Sequence, residues 1–414
     1  MNNLIHTPEG VRDIYGPDMY LRGRLKGEME LEIVKSGYSS IQVPSFEYYS
    51  IYSSNNESGA PDEAYKFSDR DNATLAWRSD FTPGVARCCA KYFISDDLPV
   101  RLYYSGNVFN NISNLQGKFK EKEEMGCELF NEPSAMADAE IVALNSKCIK
   151  KCGIKDFRII LSHVDFIYGI FNEAGIHGDD KAELCDVIAA KDQYAIDRCL
   201  ERLSIDDHFK KLISKLPFMN TDIDILKKMS KEVTNERSLS AIKRLNEVYK
   251  FLKSYKAADK IGFDLGMLPK YKYYTGIIFN TYASGCGEQI SKGGRYDDLM
   301  ERFGTKASAV GFVIDVDALI SADDVKKQDK LQDANKRLRV FLYKNDPKSM
   351  KTAITGAEKC RKDFESVELI PIDDKRGEDF EAYLSSLDRE KIRAIHLVDG
   401  DKVKIVKNYG KKAK

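Results

Sequence analysis

RLYYSGNVFNNISNLQGKFKEKEEMGCELF, residues 101–130, sets the architecture expected for this chain. Arg101–Val108 is rich in Tyr, Leu and Val, the composition of a strand. Phe119 to Glu124 is charged, and the chain turns apolar again around Gly126. Between these lies a polar stretch from Asn110 to Gly117, too long for a two-residue hairpin turn. The spacing predicts two long antiparallel strands joined by an extended loop.

With Phe109 closing the first strand and Gly126-Cys127-Glu128 on the second, the stretch resembles motif 2 of class II aminoacyl-tRNA synthetases, and of histidyl-tRNA synthetases in particular. In that family the Phe precedes an arginine that grips the α-phosphate of ATP. Here the position holds Asn110. The resemblance therefore implies an ATP site without its principal cation.

Composition bounds the remaining classes. At 414 residues and 43% hydrophobic, the chain can bury a full core and form two or three domains. Lys+Arg and Asp+Glu are both 65, so no global field draws it to nucleic acid or an anionic membrane. Nine cysteines at irregular spacing argue for reduced thiols rather than a disulfide frame. Cys148 and Cys152 are four apart with no nearby His or third Cys, so no metal site is expected, and no cofactor motif is present. The opening MNNLIHTPEGVRD has no apolar h-region, and no apolar run approaches the ~18 residues of a membrane span. These features predict a soluble, cytoplasmic protein.

Toward the N-terminus, Thr7-Pro8-Glu9-Gly10-Val11-Arg12-Asp13 matches the T-P-x-G-x-R-D opening of histidyl-tRNA synthetases. A helix follows, with Pro17 in its first turn, Gly37 beyond its end, and Leu21, Leu25, Met29 and Ile33 as an inward stripe. Tyr38–Val43 reads as a strand ending at Pro44. Helix, strand and proline together resemble motif 1, which implies a homodimer. Residues 53–72 are polar and turn-rich, a loop or short hairpin. Leu75–Gly84 resembles the family's L-R-P-E-G-T segment, which implies that Asp80 and Thr82 hold a substrate ammonium. By itself an Asp or Thr before a helix is most often an N-cap.

Beyond motif 2, Ser134–Cys148 reads as a helix with Met136, Ile141 and Leu144 inward, Phe157–Leu161 as a strand, and Val164–Glu173 as a helix closed near Gly175. Residues 176–256 contain no good strand and several amphipathic patterns, a helical insertion at the place where histidyl-tRNA synthetases carry one that helps hold tRNA. Lacking interleaved basic and aromatic residues, it gives no support to RNA binding, and tRNA is not an expected partner.

Phe263–Gly266 and Tyr273–Phe279 read as paired strands. YYTG at 273–276, followed by GGRYD at 293–297, resembles the histidine-specific block of the family. The resemblance assigns histidine recognition to Asp80, Thr82, Glu124, Glu128, Tyr273 and Tyr274. The chemistry is sound: a neutral imidazole has one donor and one acceptor, which a carboxylate and a phenol can satisfy. The ligand's carboxylate is the harder group to place, with Arg78, Arg87, a lysine of the 269–272 loop or a partner protein as its candidate cations.

The same resemblance places Pro269 where the family has the arginine of R-G-L, and Ala318 where motif 3 has its γ-phosphate arginine. With Asn110, these make three vacated ATP-site positions. Each charge-assisted contact on a developing phosphate charge is worth on the order of 10² to 10³ in rate, so three together amount to roughly a millionfold, or about 8 kcal/mol. A chain that keeps histidine recognition and drops ATP activation resembles the regulatory subunits of ATP phosphoribosyltransferase over roughly residues 1–322. That implies a non-catalytic protein which activates the short catalytic phosphoribosyltransferase of histidine biosynthesis and conveys histidine feedback. It has no catalytic residues of its own, and it works as a homodimer within a larger hetero-oligomer. The alternatives are an active histidyl-tRNA synthetase and a synthetase-like module sensing histidine or uncharged tRNA.

Residues 323–336 read as a charged linker. The remainder reads as strand (339–343), helix (350–364, with Met350, Ala353, Ala357, Cys360 and Phe364 inward), strand (368–372), helix (380–387) and strands (394–398, 404–406). This βαβαβ pattern suggests a small α/β domain with a largely parallel sheet at 337–414, similar to a reduced anticodon-binding domain. Residues 335–414 carry 20 Lys+Arg against 14 Asp+Glu, a net of +6. The expected class is α+β: a class II synthetase-like antiparallel sheet flanked by helices, with a helical insertion and this C-terminal domain.

Overall fold

The computed structural model describes residues 5–53, 63–94, 98–112, 118–269, 273–327, 338–362, 366–372 and 392–408. The chain divides into two compact units, one dominated by residues 22–327 and the other by residues 328–414.

Strands in chain order are β1 (Ser39–Ser40), β2 (Phe46–Tyr48), β3 (Lys66–Ser68), β4 (Thr74–Trp77), β5 (Val100–Phe109), β6 (Glu121–Phe130), β7 (Phe157–His163), β8 (Asn220–Thr221), β9 (Ile261–Asp264), β10 (Ile277–Ala283), β11 (Ser291–Arg295), β12 (Ala309–Asp315), β13 (Leu338–Lys344), β14 (Val367–Ile372), β15 (Ile392–Asp399) and β16 (Lys402–Asn408). The helices are α1 (Pro17–Lys35), α2 (Thr82–Tyr92), α3 (Ala135–Lys151), α4 (Val164–Glu173), α5 (Gly178–Ala189), α6 (Gln193–Arg202), α7 (Asp207–Lys215), α8 (Asp224–Met229), α9 (Glu236–Ser254), α10 (Asp297–Glu301), α11 (Val316–Ile320), α12 (Asp323–Lys327) and α13 (Pro347–Lys362).

A nine-stranded sheet in the order β1-β5-β6-β12-β11-β10-β7-β9-β8 carries the first unit. Its centre is the expected pair: β5 and β6 run antiparallel from Val100↔Phe130 to Phe109↔Glu121. The α1 stripe is inward as its spacing requires, with Leu25 and Met29 fully buried, and the helix closes at Gly37, whose φ of +85° suits a residue without Cβ. Tyr103 donates to Glu30 of α1, while Leu102 and Tyr104, on the other face of β5, pack with Phe81 and Val85 around α2. One face of the sheet is thus closed by α1 and α3, and the opposite face holds α2 and the site.

Several local expectations are corrected. The strand predicted over Tyr38–Val43 is only Ser39–Ser40, parallel to β5. The strands predicted to pair around 263–279 do not touch each other: β7 lies between β9 and β10 and pairs with both. A twelve-residue connection leaves room for a third strand, and Tyr273-Tyr274 precede β10 rather than form part of it. The insertion is helical from α5 to α9, but the two-residue strand β8 interrupts it. Met136 is 46% exposed, because it lies five residues from Ile141 and so on another side of the helix from it.

In the second unit β14, β13 and β15 are parallel and β16 is antiparallel at the edge. On α13, Ala353 and Ala357 are buried, but Met350, in the first turn, is 48% exposed. The stretch expected to begin a linker at 323 opens with α12, whose Asp324 accepts from the backbone N–H groups of Lys155 and Asp156. Residues 328–337, the helix expected at 380–387, and Phe364 lie outside the described residues.

Candidate functional site

Antiparallel register places residues of different strands on one face in rows. Tyr104, Gly126, Val313 and Lys292 form one row across β5, β6, β12 and β11. Leu102, Glu128, Gly311 and Gly294 form the next. The glycines make a floor on which large side chains lie flat. A Cβ on Gly126 would meet the Tyr104 hydroxyl at 2.5 Å, one on Gly294 would meet the Tyr274 ring at 2.8 Å, and one on Gly311 would collide with the Glu128 carboxylate.

Glu128 is the hub. Thr82 Oγ1 donates to its Oε1 at 2.9 Å, the Tyr104 hydroxyl donates to the same oxygen at 3.1 Å, and the Tyr296 hydroxyl donates to Oε2. Tyr104 stacks on Phe81 with ring centroids 4.4 Å apart. Burial pushes the Glu128 carboxyl up to about 8, against the opposing pull of the three hydroxyls. At pH 7 it is therefore mostly a neutral acid, able to donate as well as accept. A carboxyl group offers about four lone-pair positions; with three accepting hydroxyls, the fourth is left for a ligand, as the O–H donor of the neutral acid or as an acceptor when it ionises.

Tyr273 donates to Asp80 Oδ2 at 3.0 Å, and Asp80 Oδ1 accepts the Thr82 backbone N–H at 2.9 Å. Asp80 thus serves the start of α2 while facing the pocket, and Thr82 spends its hydroxyl on Glu128. Asp80, Thr82, Glu128, Tyr273 and Tyr274 line one cavity together with Lys292 and Tyr296. Its volume of about 10 Å³ is close to one water. The expected site residues are brought together here except Glu124, which lines the cavity next door.

That second cavity, of about 270 Å³, is lined by Lys118, Lys122 and Lys292 and by Glu63, Glu124, Glu288 and Asp315. Its cations face carboxylates: Lys122 pairs with Asp315 at 3.0 Å and Lys118 with Glu288 at 3.1 Å. Burial lifts Glu124 to about 8, while Lys292 pulls it back toward ionisation. Asn110, at the vacated motif 2 position, lines this cavity and is held by its backbone N–H to the Lys120 carbonyl at 2.7 Å. Ala318 is not on its wall; its N–H caps α11 through Asp315 Oδ1 at 2.9 Å. Pro269 ends a described segment and is also absent from that wall. The neighbouring Asp317 is gripped by Arg12 and Arg22 and by the N–H of Glu123.

The two arginines considered for a ligand carboxylate are committed elsewhere. Arg78 donates to the carbonyls of Val43, Pro44 and Asn107 and lies 3.8 Å over the Phe81 ring. Arg87 pairs with Glu47 at 2.6 Å. Both lysines of the 269–272 loop lie outside the described residues. Sequence reasoning missed Tyr104, Tyr296 and Lys292. The signal for Tyr296 was present in GGRYD, quoted as a motif without a role for its tyrosine. Lys292 had no motif at all, only its place in the alternation of β11.

Among the described residues no group of three or more His, Cys, Asp or Glu side chains could hold a metal ion, and no helix is long and apolar enough to cross a membrane.

A motif 2 hairpin at the centre of a large antiparallel sheet, with the Glu128 pocket on its face, defines a histidyl-tRNA synthetase-like fold of class II. The family model described as histidyl-tRNA synthetase matches residues 10–319. A crystal structure from Bacillus halodurans, described as an ATP phosphoribosyltransferase regulatory subunit/histidyl-tRNA synthetase, superposes with a TM-score of 0.78 at 25% identity, covering 91% of this chain and 96% of that one. Histidyl-tRNA synthetase from Nostoc sp. PCC 7120 shares the fold at a TM-score of 0.74 and 20% identity, over 95% of this chain and 91% of that one. The ATP phosphoribosyltransferase regulatory subunit of Acetivibrio thermocellus is 30% identical over 414 residues, covering 97% of each chain. That of Caldanaerobacter subterraneus is 31% identical, over 88% of this chain and 94% of the relative. The chain belongs to the histidyl-tRNA synthetase-like family of ATP phosphoribosyltransferase regulatory subunits.

Proposed function

We propose that this chain is a non-catalytic regulatory subunit which activates a short catalytic ATP phosphoribosyltransferase and conveys feedback by binding histidine in the Glu128 pocket. One observation carries the reading: the cavity next to that pocket holds its lysines against carboxylates. A nucleoside triphosphate needs a surplus of positive charge, and a wall of three lysines among four acidic side chains carries no net surplus. Asn110, Pro269 and Ala318 supply none either. Neutral Glu128 and the tyrosines around it suit an imidazole. The pocket is narrow, so the ligand enters by turning aside Tyr273 and Tyr274. Binding that moves these rings gives histidine different affinities for two states of the assembly, which is what feedback requires. The partner is the short phosphoribosyltransferase, the chain acts as a homodimer within that hetero-oligomer, and the place of action is the cytoplasm.

Two measurements test this. Purified chain with histidine should show no ATP–pyrophosphate exchange, and a rate comparable to a working synthetase would return the chain to aminoacylation. Mixed with a short phosphoribosyltransferase, it should raise that enzyme's activity and make it sensitive to histidine. Failure to do either leaves the regulatory reading without support.

A further inference from the structure

We propose that Lys292 is the cation that receives the carboxylate of the amino-acid ligand in the Glu128 pocket, an inference that rests on the imidazole reading above. The register puts it there. Lys292 shares a row with Val313 and Gly126, one step along the strands from the row of Glu128, Gly311 and Gly294. Strand spacings of roughly 4.8 Å, and about 3.4 Å per residue along a strand, put the Cα atoms of Glu128 and Lys292 about 12 Å apart. The two side chains point to the same face, and both line the pocket.

Lys292 lines both cavities, whereas Lys118 and Lys122 line only the larger one. Its neighbours are acidic on the other side: Asp80 in the pocket and Glu124 in the adjoining cavity. A ligand with its ring on Glu128 has its ammonium toward Asp80 and its carboxylate on Lys292, so both of its charged groups meet opposite charge. Arg78 and Arg87, held by backbone carbonyls and by Glu47, cannot serve without breaking buried contacts.

Calorimetry on the full chain with histidine and with histamine, which lacks only the carboxylate, tests this. A charge-assisted contact predicts that wild type prefers histidine by about 10- to 100-fold. Lys292→Met should remove that preference while leaving histamine affinity within about threefold, and Lys292→Arg should retain it. Unfolding midpoints of the variants establish that each is folded. Equal affinity of wild type for the two ligands, an unchanged preference in Lys292→Met, or loss of both ligands together overturns the assignment. Histidine binding with an unaltered preference removes only the role of Lys292. Absence of histidine binding to wild type removes the histidine-binding reading itself, and this assignment with it.

Discussion

Two adjacent regions on one sheet face solve charge burial in opposite ways. Around Glu128 a buried acid is kept mostly neutral and surrounded by hydroxyls, in a space of about 10 Å³. In the cavity beside it, of about 270 Å³, lysines and carboxylates are both present and cancel in pairs. The first arrangement is specific, since each hydroxyl has one partner and little room to move. The second is permissive: partly exposed ion pairs contribute little stability and can exchange partners. The proposed recognition therefore falls to the tight region, and the open one offers a phosphate no net positive charge.

The largest effect should come from Glu128→Leu. It strands the hydroxyls of Thr82, Tyr104 and Tyr296 in a buried site, at about 1–3 kcal/mol for each unsatisfied group. Denaturant unfolding should show a loss of at least ~3 kcal/mol and calorimetry no histidine binding; a stable variant that still binds would break the contrast. Next in size is Gly311→Ala, whose added methyl occupies the place of the Glu128 carboxylate. Gly287→Ala meets nothing within 4 Å and should be close to neutral. Equal unfolding midpoints for the two variants would show that the glycine floor does not shape the pocket.

Acidity sharpens the comparison further. Glu124 and Glu128 titrate near 8 in the fold, against an ordinary 4.5 once unfolded. Between these values the native state holds protons that the unfolded chain has released, so their contribution is complete below about 4.5 and is lost as pH rises through about 8. Unfolding free energy measured across that window should fall with pH, and Glu128→Gln should flatten the slope. The smallest effect belongs to Lys118→Met, which breaks the half-exposed pair with Glu288. Its cost should stay below about 1 kcal/mol, and a larger loss in the unfolding curve would mean that this cavity is as tightly specified as its neighbour.

Much was legible from local pattern. The β5–β6 hairpin, the α1 stripe, α4 from its first residue to its last, and the parallel core of the C-terminal sheet follow from periodicity and turn residues. Motif text brought Asp80, Thr82, Glu128, Tyr273 and Tyr274 to one pocket. Failures came where pairing is not local. Nothing between Phe263 and Phe279 announces that β7, about a hundred residues earlier, will lie between the two segments. Met136 was misplaced because its spacing from Ile141 is not helical.

The order of residue types along the chain determined which segments become helix or strand, and which short motifs could carry an imidazole site, since both depend on neighbours a few residues apart. Tertiary structure decided the rest. Glu128 becomes a mostly neutral acid because segments distant in sequence pack over it and bury it, while the hydroxyls of Thr82, Tyr104 and Tyr296 pull the other way. Lys292 reaches both cavities because β11 lies two strands from β6. Proton affinity and charge pairing depend on distance in space, and sequence separation does not encode that distance.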